Sequence, residues 1–340
     1  MTGKNVGEWS ELYALATLLA TSASPSAATL LPRAKRIRHR HAISEQAIEY
    51  EIAQGAIHVG GEERHKVAVT SSTISGLSRK LLNDIHQKKG RTFYSKAGAA
   101  LAEMLHFTGA GPTFRDDLQV QWAKNPRPDW LGLSVKSLLG AKPTLLNASP
   151  ATNFMFEIVG SDATRQRKAF TSATGMKDLF GLLKNANVEL QFVRMDNEMF
   201  SINLTQLSTR LPSMLAALLV AAAYNSSKSI SDVWESASAQ GSLNASGGKE
   251  VLFEFLGAVG LGMRPTKKWV GRDIGFGGFV IVNEDGTVQI SDESHPSALG
   301  KVLFANLKFE WGSRDRHKFG IPFALGEKLF IKLNLQLRFI

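Results

Sequence analysis

Two neighbouring segments of alternating residues constrain the fold more than any other feature of this sequence. Residues 117–122 (DLQVQW) alternate between polar and apolar side chains, and residues 130–136 (WLGLSVK) alternate again. Between them, residues 123–129 (AKNPRPD) supply Asn, Pro and Asp, which favour turns. The pattern predicts an antiparallel β-hairpin with a loop over 123–129, so the chain must build a sheet that contains it.

The hairpin brings an acidic and a basic residue together. Pairing the two strands about Pro126 places Asp117 opposite Val135 or, one residue further along, opposite Lys136. In both registers Asp117 and Lys136 are neighbours at one edge of the sheet, because opposed residues on paired strands lie close together. The competing interpretation is a surface hairpin with a solvated lysine.

Such a pair suits the hydrolysis of phosphodiester bonds. A hard cation such as Mg²⁺ prefers oxygen ligands, which Asp117, the backbone carbonyl of Val135 and a second carboxylate can provide. The cation stabilises charge at the phosphate and lowers the pKa of a bound water, while Lys136 orients or helps to deprotonate that water. This division of roles is typical of nucleases with the PD-(D/E)xK fold.

The second carboxylate of that pattern is displaced in this chain. Ser134 stands two positions before the lysine, where the pattern has Glu or Asp, so the acid must come from elsewhere. An amphipathic helix predicted over 9–19 is preceded by Glu8 and includes Glu11, which share one face. Glu157 is a further candidate. The alternative role of Glu8 and Glu11 is stabilisation of the helix N-terminus.

The rest of the sequence mixes helical and strand patterns. Helices are predicted at 96–106, 175–186 and 204–224, and strands at 277–283, 301–309 and 328–340. The fold class is therefore α/β or α+β, with a mixed central sheet flanked by helices. It is the Asp117 and Lys136 hairpin, not this periodicity, that resembles the PD-(D/E)xK core of the restriction-endonuclease-like fold.

We expect a single domain over residues 1–340. Its catalytic core covers about 1–25 and 96–225, and 26–95 forms a basic subregion that contacts DNA. Residues 226–340 form a β-rich recognition region.

The composition agrees with a polyanionic partner. The 40 Lys and Arg residues exceed the 30 Asp and Glu residues, which gives a formal net charge of +10. The chain has no cysteine, which excludes thiolate nucleophiles and cysteine-ligated metals. Acidic residues interrupt the apolar N-terminal stretch, and no apolar run approaches the roughly 18 residues of a membrane span, so we expect a cytoplasmic protein without membrane association.

Several blocks along the chain resemble one enzyme family. They are GEWSELY (7–13), DDLQV (116–120), LGLSVKSLLG (131–140), TLLNASPATNFMFEI (144–158), RDRHKFG (314–320) and LFIKLNLQLRF (329–339). In this order they resemble the type II restriction endonucleases of the HpaII family, whose pattern also displaces the carboxylate before the lysine. The resemblance implies a Mg²⁺-dependent deoxyribonuclease that cuts double-stranded DNA within a short palindrome related to CCGG.

The resemblance also implies roles and partners. Asp117, Ser134 and Lys136 are expected at the catalytic centre with Glu8 or Glu11 as the supporting acid, and Asp117, Glu11 and the Val135 carbonyl as metal ligands. A twofold site favours a homodimer, at least on DNA. Host DNA needs protection, so a methyltransferase acting on the same site is implied as a functional partner.

Three groups of residues are candidates for DNA contact. Guanine and cytosine are read by cationic, acidic and amide side chains, which cluster around 314–318 and just after the catalytic strand. The competing explanations are turn or capping duty for the second group and solvated charge for the third. The candidates are Arg314, Asp315, Arg316, His317 and Lys318; Asn147, Ser149, Thr152 and Asn153; and Arg36 and Arg38.

Two alternative functions stay open on the sequence alone. The first is a catalytically inactive DNA-binding protein of the same fold, in which Ser134 reflects a lost metal site. The second is a nuclease for repair or RNA that recognises structure instead of sequence. Absence of Mg²⁺ or Mn²⁺ binding in the presence of DNA would favour the inactive DNA-binding protein. Discrete restriction fragments from plasmid DNA would exclude the nuclease that recognises structure.

Overall fold

The fold is given by a computed structural model. It describes residues 3–24, 31–40, 47–53, 55–60, 67–108, 116–123, 130–160, 166–241, 243, 247–271, 276–291 and 296–340.

Helices and strands alternate along the chain. The helices are α1 (Val6–Ala23), α2 (Ser71–His86), α3 (Lys96–Met104), α4 (Arg167–Ser172), α5 (Met176–Asn185), α6 (Glu198–Leu207), α7 (Leu211–Tyr224), α8 (Ile230–Ala239), α9 (Gly248–Gly260), α10 (Pro296–Asn306) and α11 (Arg314–His317). The strands are β1 (Lys4–Asn5), β2 (Ala34–Arg40), β3 (Ala47–Ala53), β4 (Ala56–Gly60), β5 (Val67–Thr70), β6 (Thr92–Phe93), β7 (Leu118–Trp122), β8 (Leu131–Ser137), β9 (Thr144–Leu146), β10 (Asn153–Val159), β11 (Glu189–Met195), β12 (Phe276–Val282), β13 (Val288–Ser291), β14 (Leu307–Phe309), β15 (Phe323–Leu325), β16 (Lys328–Asn334) and β17 (Leu337–Phe339).

The first of two compact units contains the predicted hairpin. It comprises Met1–Pro143 and Arg272–Ser294, and its eight-stranded sheet has the order β13-β12-β8-β7-β2-β3-β4-β5. Strands β7 and β8 pair antiparallel, as the alternation predicts, whereas β8 and β12 pair parallel. The mixed sheet with flanking helices confirms the predicted fold class.

Helix α1 packs on this sheet. Its apolar residues, including Leu12, Leu15 and Leu19, are fully buried and form one core with Leu118 and Leu133 of the hairpin. Asn5 caps the helix by accepting a hydrogen bond from the backbone N–H of Glu8. The helix predicted over 9–19 is confirmed, with about one additional turn at each end.

The second unit comprises Thr144–Gly271 and His295–Ile340. It holds a four-stranded sheet of order β11-β10-β16-β15 and a three-stranded sheet of order β14-β17-β9. Phe154, Phe156 and Phe192 pack together on β10 and β11.

Three sequence predictions for this unit were wrong. Residues 301–306 belong to helix α10, because this segment packs closely on α9: a Cβ at Gly300 would lie 1.8 Å from the Phe253 carbonyl oxygen. The helix predicted over 204–224 is broken into α6 and α7, which meet at 105°, with a proline in the first turn of α7. The strand predicted over 328–340 divides into β16 and β17, which lie in different sheets.

The two units differ from the predicted subregions. Residues 26–95 contribute β2 to β5 to the sheet that contains the hairpin, and the single domain expected over 1–340 stays a prediction. Residues 226–340, predicted to be β-rich, also contain α8, α9 and α10. The DNA-contacting and recognition roles assigned to these segments stay predictions.

Within the described part of the chain, no single helix is long and apolar enough to cross a membrane. Helices α6 and α7 meet the criteria of length and composition only as a bent pair.

Candidate active site

Asp117 is fixed at the start of strand β7 by contacts with strand β8. Its backbone N–H donates to the carbonyl of Leu133 at 2.9 Å. Its carboxylate oxygen Oδ2 accepts hydrogen bonds from the backbone N–H of Val135 at 2.6 Å and from the hydroxyl of Ser134 at 3.1 Å. Both of these hydrogen bonds end on the same carboxylate oxygen.

The strand register differs from the prediction. Leu118 pairs with Leu133, which places Asp117 beside Leu133 and Ser134 instead of opposite Val135 or Lys136. The predicted proximity of Asp117 and Lys136 is nevertheless confirmed, since the Ser134 hydroxyl contacts both side chains.

Lys136 lies on the same strand face as Ser134, two residues away. Its ammonium donates to the Ser134 hydroxyl at 3.0 Å and lies 5.7 Å from the ring centre of Phe279. Burial lowers the pKa of Lys136, and the negative charges of Asp117 and Glu11 oppose this effect. A lysine of lowered pKa releases and accepts a proton more easily near neutral pH, as a general base requires.

Ser134 connects the acid and the base. Its buried hydroxyl donates to Asp117 and accepts from Lys136, so the position that departs from the PD-(D/E)xK pattern still belongs to the site. Phe279 comes from β12, more than a hundred residues further along the chain. Sequence patterns did not identify it, because nothing local indicates that β12 is the parallel neighbour of β8.

The two candidate glutamates of α1 have different surroundings. Glu8 completes a capping box: its carboxylate accepts the backbone N–H of Asn5 at 2.8 Å. Glu11 is one turn further along the helix, and its charge acts on Lys136. Glu157 belongs to the second unit, where it pairs with Lys328 at 3.0 Å. The capping box gives Glu8 a structural role at the helix N-terminus, and the choice of the second acid stays a prediction.

The oxygen donors of this site fit a hard divalent cation. Among the described residues no group of three or more His, Cys, Asp or Glu side chains can hold a metal. Asp117 and Glu11 provide two carboxylates, and the Val135 carbonyl is a third oxygen of the same chemical class. Cations that keep several water ligands and bind substrate phosphate, as Mg²⁺ does, need only one or two protein carboxylates.

The ionisation of Asp117 yields a pH-dependent prediction. Burial raises the pKa of this carboxyl above 3.8, although the Val135 N–H, the Lys136 charge and the Ser134 hydroxyl act in the opposite direction. The folded state therefore holds the proton more tightly than the unfolded chain, and this group's contribution to stability falls as the pH rises through its pKa. We expect Asp117→Asn to raise the melting temperature at about pH 7, with a gain that shrinks towards about pH 4. Thermal unfolding at both pH values tests this, and a lower melting temperature at neutral pH would contradict it.

Two of the four predicted DNA contacts after β8 are buried. Thr152 and Asn153 are 0% and 1% exposed, and Asn334 donates to both side chains, at 3.1 and 2.6 Å, and to the Ser149 carbonyl at 2.7 Å. This network supports the structural explanation for Ser149, Thr152 and Asn153. Asn147 is exposed.

The segment 314–318 separates into anchored and exposed residues. The guanidinium of Arg314 donates to the carbonyls of Ala173 at 2.9 Å and Gly320 at 2.6 Å, and the side-chain amide of Asn153 donates to the His317 carbonyl at 3.0 Å. The residues whose side chains are exposed are Asp315, Arg316 and Lys318.

Arg36 and Arg38 lie on β2, next to the hairpin. Arg36 pairs with Glu49, Arg38 donates to Gln119, and their guanidinium carbons lie 5.6 and 4.2 Å from the ring centre of Trp130. These contacts give both arginines a structural role beside β7 and Trp130. The Arg36 side chain keeps 43% exposure, so it can also meet a phosphate.

Comparisons with known proteins cover almost the whole chain. The family model described as HpaII restriction endonuclease matches residues 5–339. The chain is similar to the Type II restriction enzyme HpaII of Haemophilus parainfluenzae, with 32% identity over 359 aligned residues that cover 99% of this chain and 98% of that enzyme. No solved structure matches the chain.

Proposed function

Because the chain belongs to the HpaII restriction endonuclease family, we propose that this site-specific endonuclease cuts both strands of DNA within a short palindrome related to CCGG, with Mg²⁺ as cofactor. Restriction enzymes act on double-stranded DNA, and the net charge of +10 suits a duplex partner.

One observation carries the catalytic part of the proposal. The Asp117 carboxylate is held by the Val135 N–H and the Ser134 hydroxyl, and the Lys136 ammonium contacts that same hydroxyl. The Asp117 carboxylate and the Lys136 amine, whose pKa is lowered by burial, thus lie together where β7 pairs with β8. This arrangement can bind a cation beside a phosphate and move a proton at the attacking water.

The residues have distinct proposed roles. Asp117, Glu11 and the Val135 carbonyl would hold the divalent cation, which when bound would stabilise charge on the phosphate and activate water. Lys136 accepts or directs the proton of that water through its Nζ atom. Ser134 fixes the Lys136 ammonium relative to the Asp117 carboxylate. Glu8 caps helix α1 and thereby supports Glu11.

Metal dependence tests the catalytic proposal. Purified protein incubated with plasmid DNA and Mg²⁺ is expected to give discrete fragments, and excess chelator is expected to abolish them. Ca²⁺ in place of Mg²⁺ is expected to keep sequence-specific binding without cleavage. Unchanged cutting in the presence of chelator would overturn the metal proposal.

The assembly and partners follow from the symmetry of the substrate. A palindromic site is matched most simply by two copies related by a twofold axis, so we propose a homodimer on DNA. A methyltransferase that modifies the same sequence is the functional partner that would protect host DNA. The cytoplasmic location expected from the sequence stays a prediction.

Exposed residues of the 314–318 segment are proposed to read bases. Arg316 is free to approach guanine, whereas Arg314 is anchored to backbone carbonyls. Arg316→Ala is expected to weaken specific binding in Ca²⁺ by about 5- to 150-fold while changing non-specific binding much less. Arg316→Lys keeps the charge but loses the bidentate geometry, so it should lose discrimination as well.

The competing role of Arg316 is a phosphate contact. In that case Arg316→Ala would weaken binding to all duplexes equally and Arg316→Lys would restore it. The matched comparison is Arg314→Ala, which is expected to lower the melting temperature because it removes two hydrogen bonds to backbone carbonyls.

A further inference from the structure

Two serine hydroxyls join helix α1 to the catalytic strand. Ser10 is 0% exposed, and its Oγ lies 2.8 Å from the Oγ of Ser137 on β8 and 2.7 Å from the Val6 carbonyl oxygen. The Ser137 hydroxyl also accepts the backbone N–H of Leu139 at 3.2 Å. Both hydroxyls therefore have hydrogen-bond partners within the protein, as buried polar groups require.

Each of the two serines is the sequence neighbour of a proposed catalytic-site residue. Ser10 directly precedes Glu11, and Ser137 directly follows Lys136. The hydrogen bond therefore ties the residue next to the proposed second acid to the residue next to the proposed base. Glu11 and Lys136 themselves interact through their charges.

A second contact fixes the same end of the helix. Gly140, three residues after β8, lies so close to Val6 that a Cβ at position 140 would come within 3.0 Å of Val6 Cγ1. Helix α1 thus meets the segment containing β8 at two points separated by about one helical turn. The apolar contact at Val6 resists separation, whereas the directional hydrogen bond at Ser10 fixes rotation and translation of the helix along the strand.

We propose that Ser10 and Ser137 are positioning residues, which hold Glu11 at the distance from Lys136 and Asp117 that cleavage requires. This inference rests on the proposed function. The two hydroxyls touch neither DNA nor reacting atoms, and their effect is transmitted through Glu11. A displacement of about 1 Å at a catalytic group can reduce a rate by about 100-fold, so loss of this bond should be visible in the chemical step.

The ordinary alternative is a buried hydrogen bond that contributes only to stability. Ser78 in α2 provides the matched control, because its hydroxyl is also buried in the first unit and donates to the carbonyl of Ile74 at 2.8 Å. It contacts no proposed catalytic residue in the described hydrogen bonds. Ser78→Ala should therefore reproduce the effect on stability without the effect on the rate.

The experiment compares Ser137→Ala, Ser137→Thr and Ser78→Ala with the wild-type protein. Single-turnover cleavage is expected to fall about 10- to 100-fold for Ser137→Ala and to remain near wild type for Ser78→Ala. Ser137→Thr keeps a hydroxyl on a strand residue and should restore most of the rate. Ser137→Ala and Ser78→Ala should have similar melting temperatures and similar specific DNA affinities in Ca²⁺. Mn²⁺ binding to the DNA complex should weaken only for Ser137→Ala.

A double-variant cycle shows whether the effect passes through Glu11. In a Glu11→Gln background, Ser137→Ala is expected to cost little further rate, because residues that act as a unit are not additive. Equal rates for Ser137→Ala and Ser78→Ala, or full additivity with Glu11→Gln, would overturn the inference. A wild-type protein that does not cut at all would instead refute the proposed function, so the two failures are distinguishable.

Discussion

Replacing Lys136 by methionine is expected to reduce DNA cleavage by about 10²- to 10⁴-fold. Methionine keeps an unbranched apolar side chain for packing against Phe279 but cannot exchange a proton. The substitution removes the positive charge of Lys136, which burial already disfavours because it lowers the pKa of this residue. We therefore expect the variant to fold and to bind its site in Ca²⁺ with an affinity close to that of the wild type.

The control for this variant is Lys328→Met, which removes an exposed ammonium paired with Glu157. It should cleave at the wild-type rate. Single-turnover assays with saturating enzyme separate the chemical step from DNA binding. If Lys136→Met cuts as fast as the control, Lys136 is not the base, and another group must handle the proton of the attacking water.

Replacing Glu11 by glutamine is expected to raise the Mg²⁺ concentration for half-maximal cleavage by at least about 10- to 100-fold. The substitution preserves shape but removes a carboxylate charge, and a hard cation depends on that charge. Glu11 also raises the pKa of Lys136, so the residual activity should shift to lower pH in this variant. A Mg²⁺ titration at several pH values measures both effects.

Glu8→Gln is the matched comparison within the same helix. Glutamine can take the place of glutamate in a capping box, so this change should leave cleavage, metal requirement and melting temperature nearly unaltered. The opposite outcome would be a large increase in the Mg²⁺ requirement for Glu8→Gln and none for Glu11→Gln. It would make Glu8 the metal ligand in place of Glu11.

Local patterns were sufficient to predict the hairpin of β7 and β8. The alternation over 117–122 and 130–136 placed two strands side by side, and the neighbours Asp117 and Lys136 followed from that pairing alone. Helix α1 was equally accessible because its apolar residues recur at helical spacing. These elements depend on residues that are close in sequence, where periodicity is informative.

Long-range packing decided the features that the sequence missed. Residues 301–306 alternate enough to resemble a strand, but close contact with α9 stabilises a helix there. Phe279 reaches Lys136 only because β12 inserts beside β8 from a distant part of the chain. The hydroxyl of Ser10 had one available signal, a polar residue on an otherwise apolar helix face. That signal is weak because buried serines often satisfy their own helix backbone.

Sequencing the ends of DNA cut by the purified protein with Mg²⁺ tests the central claim most directly. If this chain is a site-specific endonuclease with the proposed recognition, both strands end at fixed positions within one short palindrome related to CCGG, and Lys136→Met yields no such ends. Ends distributed without regard to sequence, or intact DNA from a duplex library containing every four- to six-base palindrome, would contradict the account.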